Sequence, residues 1–352
     1  MRGALRLALP ATVIGWALAG CEPQASREAG SPDRPAEPGP SPVPEYVTAT
    51  DPDATETAGF TYAGPVLVDL PPLESDAADR HETERDWAIA LGTVEWARTR
   101  GLERLPIGEV MAMLGATFVG SPYVPGSLEL PGPESLVVNL HTFDCVTLVE
   151  HVLVLARLTL VAPAQAIADT ERFRELYRAE LTRVRYRDGI LSGYPSRLHY
   201  FSEWIRNAEA KGLAEDLTRS LGGAPDTRSV HYMSAHPDTY RQLGEDPAHL
   251  AAIQVAEARL RGEPRYAVPA DRIAEVEDEI RTGDIIAAVS TVDGLDIAHT
   301  GIAILHQGRI HLLHAPLVGD SVEISVQPLV DRIQGIATQS GIMVARPLPP
   351  AN

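Results

Sequence analysis

The 352-residue chain holds only two cysteines, Cys21 and Cys145, so a disulfide-built scaffold is excluded. Basic residues are outnumbered. Thirty Lys and Arg face 48 Asp and Glu, for a formal net charge of -18. A surface of that sign excludes nucleic acid as a partner and disfavours adsorption to anionic lipid. No His-Glu-x-x-His or comparable ligand spacing occurs, so no metal or other cofactor is expected. A long membrane-crossing run is also missing. The apolar stretch 7–18 is broken by Pro10 and Gly15 and is too short to span a bilayer comfortably. There is no internal repeat. Hydrophobic residues still make up 44% of the chain, enough for a real core in one large domain or two small ones.

The N-terminus reads as an export signal over residues 1–20, with Arg2 and Arg6 ahead of the apolar stretch. It closes on Leu18-Ala19-Gly20-Cys21, which resembles the lipobox of bacterial lipoproteins. That resemblance implies lipidation at Cys21 and, with Glu22 next, a periplasmic protein anchored at the outer membrane. Residues 21–80 are expected to form a disordered tether, with seven prolines between Cys21 and Tyr46. Residues 81–350 form the folded body.

Within that body, helical spacing covers 81–102, 106–114 (ending before Gly115), 171–185, 199–211 and 248–261. Residues 145–158 are apolar almost all round, which places that helix in the core. Strand character falls on 135–140, 230–233, 283–290, 322–326 and 342–346. Residues 299–305 and 309–315 read as a hairpin across His306-Gln307-Gly308. Helices come first and strands later, which is the α+β pattern with a mainly antiparallel sheet.

Cys145 starts the buried helix. With Cys21 committed elsewhere, it remains a thiol in an exported protein, where cysteines are ordinarily held in disulfides. The helix dipole favours a thiolate there, so Cys145 is a candidate nucleophile. Asp144 is expected to cap the helix, at the cost of a negative charge beside the thiol. A cysteine nucleophile needs a base, and the base an orienting group. His299 is the candidate base, able to form an ion pair with Cys145. It shares a strand face with Gly301 and Ala303, small residues that would let the helix approach on that side. His314 is the candidate orienting imidazole. His311, three positions away, points to the opposite face, against a two-histidine metal site. On residue chemistry alone Arg197 reads as a surface arginine, and His231 and His236 remain open.

Several segments together resemble the N-acetylmuramoyl-L-alanine amidase-like family, a branch of the NlpC-type papain-like cysteine hydrolases of bacterial cell walls. They are Asp144-Cys145-Val146-Thr147-Leu148-Val149-Glu150, Ser196-Arg197-Leu198-His199-Tyr200, Met233-Ser234-Ala235-His236, Gly283-Asp284, Gly294-Leu295-Asp296-Ile297-Ala298-His299-Thr300-Gly301 and Leu312-Leu313-His314-Ala315. They run in order over roughly residues 85 to 348. The resemblance implies a papain-like fold, with N-terminal helices on the C-terminal sheet and a helical insert over 163–264 that builds or covers the cleft. It implies a Cys145-His299-His314 constellation, with Tyr123, Arg197 and His199 lining the substrate site. The implied substrate is peptidoglycan or a muropeptide, cut at an amide of the stem peptide. The bond between N-acetylmuramic acid and L-alanine is favoured. The alternatives are stem-peptide endopeptidase action or a non-catalytic murein-binding lipoprotein.

Overall fold

The computed structural model describes residues 70–73 and 81–351. The expected export signal, Cys21 and most of the expected tether lie outside the described residues. Residues 70–73 sit on the domain itself: Leu70 packs against the main core, and the Pro71 carbonyl accepts from Arg85 Nη1 at 3.1 Å. Packing therefore begins upstream of residue 81.

The helices are α1 (Glu84–Thr99), α2 (Ile107–Ala116), α3 (Cys145–Val161), α4 (Ala164–Ile167), α5 (Thr170–Arg185), α6 (Phe201–Ala210), α7 (Tyr232–Ala235), α8 (Arg241–Glu245), α9 (Pro247–Gly262), α10 (Ile273–Val276) and α11 (Leu329–Gly335). The strands are β1 (Ala214–Asp216), β2 (Ala224–Asp226), β3 (Arg265–Pro269), β4 (Ile285–Ser290), β5 (Ile297–His306), β6 (Arg309–His314), β7 (Glu323–Ile324) and β8 (Gln339–Pro347). They make one sheet in the order β2-β3-β8-β4-β5-β6-β7, with β1 also paired to β8. Every pairing is antiparallel. The class is α+β, as the order of the patterns implies. Among the described residues no helix is long and apolar enough to cross a membrane.

Helix α3 is the spine of the molecule, and its first fifteen residues, 145–159, are all buried. Two of its polar positions are matched inside the core. Glu150 pairs with Arg185 Nε at 2.7 Å, and His151 Nδ1 meets the Tyr177 hydroxyl at 2.7 Å. Leu148, Val149 and Val152 share one core with Ile302, Ile304 and Leu313 of the sheet. The other face carries Ala303 and Leu312, in a second core with Leu329, Val330 and Ile333 of α11.

Some expectations fail for identifiable reasons. Residues 135–140 form no strand, because side chains and a distant loop engage their backbone groups. Arg185 Nη1 donates to Val137 O at 2.6 Å, Leu140 N donates to Asp86 at 2.7 Å, and Val138 N donates to His81 O at 2.7 Å. The proposed strand at 230–233 is instead the approach to α7 and its first residues. Helix α2 continues through Gly115, where a Cβ would stand 2.5 Å from Leu313 Cδ2. That glycine lets the helix meet the sheet and does not end it. Strands β1, β2 and β3 carried no alternating apolar signal strong enough to foresee.

Candidate active site

Cys145 is the first residue of α3 and is 1% exposed. Asp144 is the N-cap. Its Oδ1 accepts from Val146 N at 3.0 Å, Thr147 N at 2.7 Å and Thr147 Oγ1 at 2.9 Å. Thr147 Oγ1 accepts in return from Asp144 N at 2.9 Å. This reciprocal box holds the helix start rigid, as capping geometry should. Burial raises the Asp144 carboxyl pKa, while its bonds to Thr147 oppose the shift. The loop before it is also tied down. Asp86, fully buried, accepts from Leu140 N at 2.7 Å and contacts His141 Nδ1 at 2.8 Å. Asn139 Oδ1 accepts from His141 N at 3.1 Å and Thr142 N at 3.0 Å.

Tyr123 bridges in parallel to Phe143, two residues before Cys145, and Val124 N donates to Phe143 O at 2.9 Å. Its own N–H donates to Asp320 O at 2.8 Å. The tyrosine segment thus links the cysteine loop to the turn between β6 and β7.

His299 lies on β5 and His314 on β6, both buried. Nε2 of His299 and Nδ1 of His314 are 2.8 Å apart, with the rings edge-on at 82°. Burial, with the charges of His299 and Arg332, holds His314 well below the usual histidine range, so it stays neutral. The expected route for the helix's approach is wrong. By register His299 pairs with Ala288, on the Gly301–Ala303 face, whereas α2 and α3 pack on the opposite face. The β4–β5 register shifts between Ala288 and Val289, beside His299. Irregularities of this kind re-aim side chains near functional sites. At this end of the strand Cys145 and His299 come to line one cleft, and strand alternation alone does not show that meeting.

The cleft is narrow and is lined by Cys145, Val146, His199, Phe201 and residues 295–300. His199 and Phe201 come from the insert, which therefore supplies one wall. Nε2 of His199 bonds the Tyr194 carbonyl at 2.9 Å, which makes Nε2 the protonated nitrogen and Nδ1 an acceptor. Burial and the Arg197 charge hold His199 well below the usual histidine range, so it stays neutral. Asp296 stands immediately before β5. Both its oxygens are engaged, Oδ2 by Ser202 N at 2.8 Å and Oδ1 by Ile297 N at 2.7 Å. It pins the insert to β5.

Arg197 does not line this cleft. It is 2% exposed, stacks on Tyr194, donates to Leu128 O at 3.0 Å, pairs with Glu129, and sits 3.6 Å from Glu134. It is neither the surface arginine of its residue chemistry nor the substrate-site residue of the resemblance. Its donors clamp the insert to the 128–134 segment. His231 faces Asp293 at 3.4 Å, and its N–H bonds Gly294 O at 3.0 Å. His236 is exposed and stacks on Tyr232. Asp284 holds Arg346 at 2.8 and 2.7 Å and is structural. Among the described residues no group of three His, Cys, Asp or Glu side chains could hold a metal ion.

Comparison with known proteins follows this geometry. The sequence model described as N-acetylmuramoyl-L-alanine amidase-like matches residues 113–341. A Bacteroides uniformis structure described as an N-acetylmuramoyl-L-alanine amidase is 34% identical. The match covers 69% of this chain and 99% of that one, with a TM-score of 0.63. A Bacteroides fragilis structure provisionally described as a xylanase is 37% identical over 66% of this chain and 98% of that one, TM-score 0.60. A Legionella pneumophila protein matched by the DUF1460 family model shares the fold at 22% identity, TM-score 0.53, over 74% of this chain and 96% of that one. Among curated proteins none matches the chain in sequence. The chain belongs to the N-acetylmuramoyl-L-alanine amidase-like family.

Proposed function

We propose that the protein is a papain-like, NlpC-type cysteine amidase of the bacterial cell wall. Its bond is the amide between N-acetylmuramic acid and L-alanine, or a nearby amide of the stem peptide. The observation that carries this reading is the shared cleft of Cys145 and His299, with His299 bonded to His314 at 2.8 Å.

His299 takes the thiol proton, and the Cys145 thiolate attacks the amide carbonyl. The oxyanion is met by backbone N–H at the helix start, that of Cys145 included; those of Val146 and Thr147 are bonded to Asp144. The C–N bond breaks as His299 gives its proton to the leaving amine. Water, deprotonated by His299, then attacks the thioester, releases the carboxylate product and restores the thiol. His199 offers a neutral acceptor to a substrate N–H from the cleft wall. The lipobox-like end at Cys21 and the proline-rich tether support action at the periplasmic face, anchored to the outer membrane.

Glycoside hydrolysis, which the name of the xylanase-labelled neighbour raises, fits this cleft poorly. That chemistry needs two carboxyl groups flanking the bond. The one carboxylate lining the cleft is Asp296, and backbone donors hold both its oxygens.

Incubation with defined muropeptides, with and without the sugar, tests the assignment by product mass. Release of an intact stem peptide from muramic acid supports the amidase. Cleavage within the peptide would move the assignment to endopeptidase, and cleavage of the glycan alone would overturn the reading.

A further inference from the structure

Behind the two histidines stands a carboxylate that no motif pointed to. Nε2 of His314 is fully buried and has no hydrogen-bond partner among the described residues. Oε1 of Glu323, on the two-residue strand β7, lies 3.6 Å from it. That is too long for a hydrogen bond but close for a half-exposed charge beside a buried imidazole.

The pair His299–His314 shares one proton across its 2.8 Å contact, and two neutral arrangements are possible. In one, His299 Nε2–H donates to His314 Nδ1, and the second proton of the pair sits on His314 Nε2, toward Glu323. Nδ1 of His299 is then a proton acceptor. In the other, His314 Nδ1–H donates to His299 Nε2. The proton on His299 Nδ1 then blocks it as a base, and a bare lone pair of His314 faces the carboxylate. We infer that Glu323 selects the first arrangement, fixing the tautomer of His314 and through it that of His299. It is a positioning residue, acting through His314 without touching substrate.

The charged surroundings agree. Glu323 on β7 acts electrostatically on His299 of β5 and is itself stabilised by Arg332 of α11, which also disfavours protonation of His314 on β6. Arg332 opposes the burial that raises the Glu323 pKa and so favours the ionised carboxylate.

The inference rests on the cysteine-amidase reading for its consequence in catalysis, but its direct test does not. Nitrogen-15 NMR of histidine-labelled protein reads the tautomer without substrate. The wild type should show His314 as the Nε2–H form, and Glu323→Ala should shift it toward Nδ1–H. Glu323 is 41% exposed, which favours a folded variant. Glu323→Leu, which fills the space without an oxygen, is the second variant. An unchanged His314 tautomer in a folded variant would overturn the proposal. In turnover, kcat/KM should fall about tenfold, with KM little changed, because only the proton-transfer geometry is disturbed. If the wild type cleaved no muropeptide, the catalytic reading would fail while the tautomer test still stood.

Discussion

At the scale of single residues, partners and not burial distinguish side chains that line the cleft from those that hold the frame, since Arg197 and His199 are both buried. Arg197 is the instructive case. Its residue chemistry suggested a surface arginine and the resemblance a substrate-site residue, yet Glu129, Glu134 and Leu128 O surround it inside the protein. Arg197→Ala should therefore destabilise the fold by about 3–5 kcal/mol, since it strands two part-buried or buried carboxylates. Denaturant unfolding reads this. A raised KM with unchanged stability would instead return Arg197 to the substrate. His199 is the converse case, neutral and facing the cleft. His199→Phe should raise KM and leave the pH profile between 6 and 8 alone, because a histidine held well below its usual range does not titrate there. Motifs made Cys145, His299 and His314 legible. They could not reveal Asp86, Asp296 or Glu323, whose partners are distant in sequence and known only once the chain is folded.

At the scale of elements, the lesson concerns close approach. The glycine of the Gly283-Asp284 motif has φ +89, and a Cβ there would fall 2.1 Å from Gly108 O on α2. Both terms oppose any side chain. Gly283→Ala should cost more than about 3 kcal/mol or prevent folding, measured by thermal melting. A near-wild-type melting temperature would show that α2 and the start of β4 can separate. The central strands and long helices were legible because their apolar periodicity is strong, and the hairpin turn because Gly308 suits the positive φ it adopts. Residues 135–140 misled because Leu136, Val137 and Val138 carry strand propensity while Arg185 claims the Val137 carbonyl and Asp86 the Leu140 N–H. The cleft that Cys145 and His299 share lies beside a register shift that alternation does not encode.

At the scale of the whole molecule, α3 joins two functions: its first turn serves the cleft, and its body is the core. His151 sits there, well below the usual histidine range through burial and Arg185. A depressed histidine leaves the unfolded chain binding more protons as pH falls below about 6.5, so its contribution to stability is lost in that window. Asp144 and Asp296, with raised values, act in the opposite sense, so a difference measurement is needed. The stability advantage of wild type over His151→Asn should shrink by about 1.4 kcal/mol per pH unit below pH 6.5. A pH-independent gap would contradict a neutral, buried His151. The insert was foreseen as a builder of the cleft, and His199 and Phe201 do form one wall.

The most direct test of the central claim is turnover of a muramyl peptide by the protein and its Cys145→Ala variant, with the wild-type reaction quenched in acid for intact mass. The account predicts hydrolysis by the wild type, a transient acyl adduct on Cys145, and neither in the variant. Hydrolysis by the variant at the wild-type rate would contradict it.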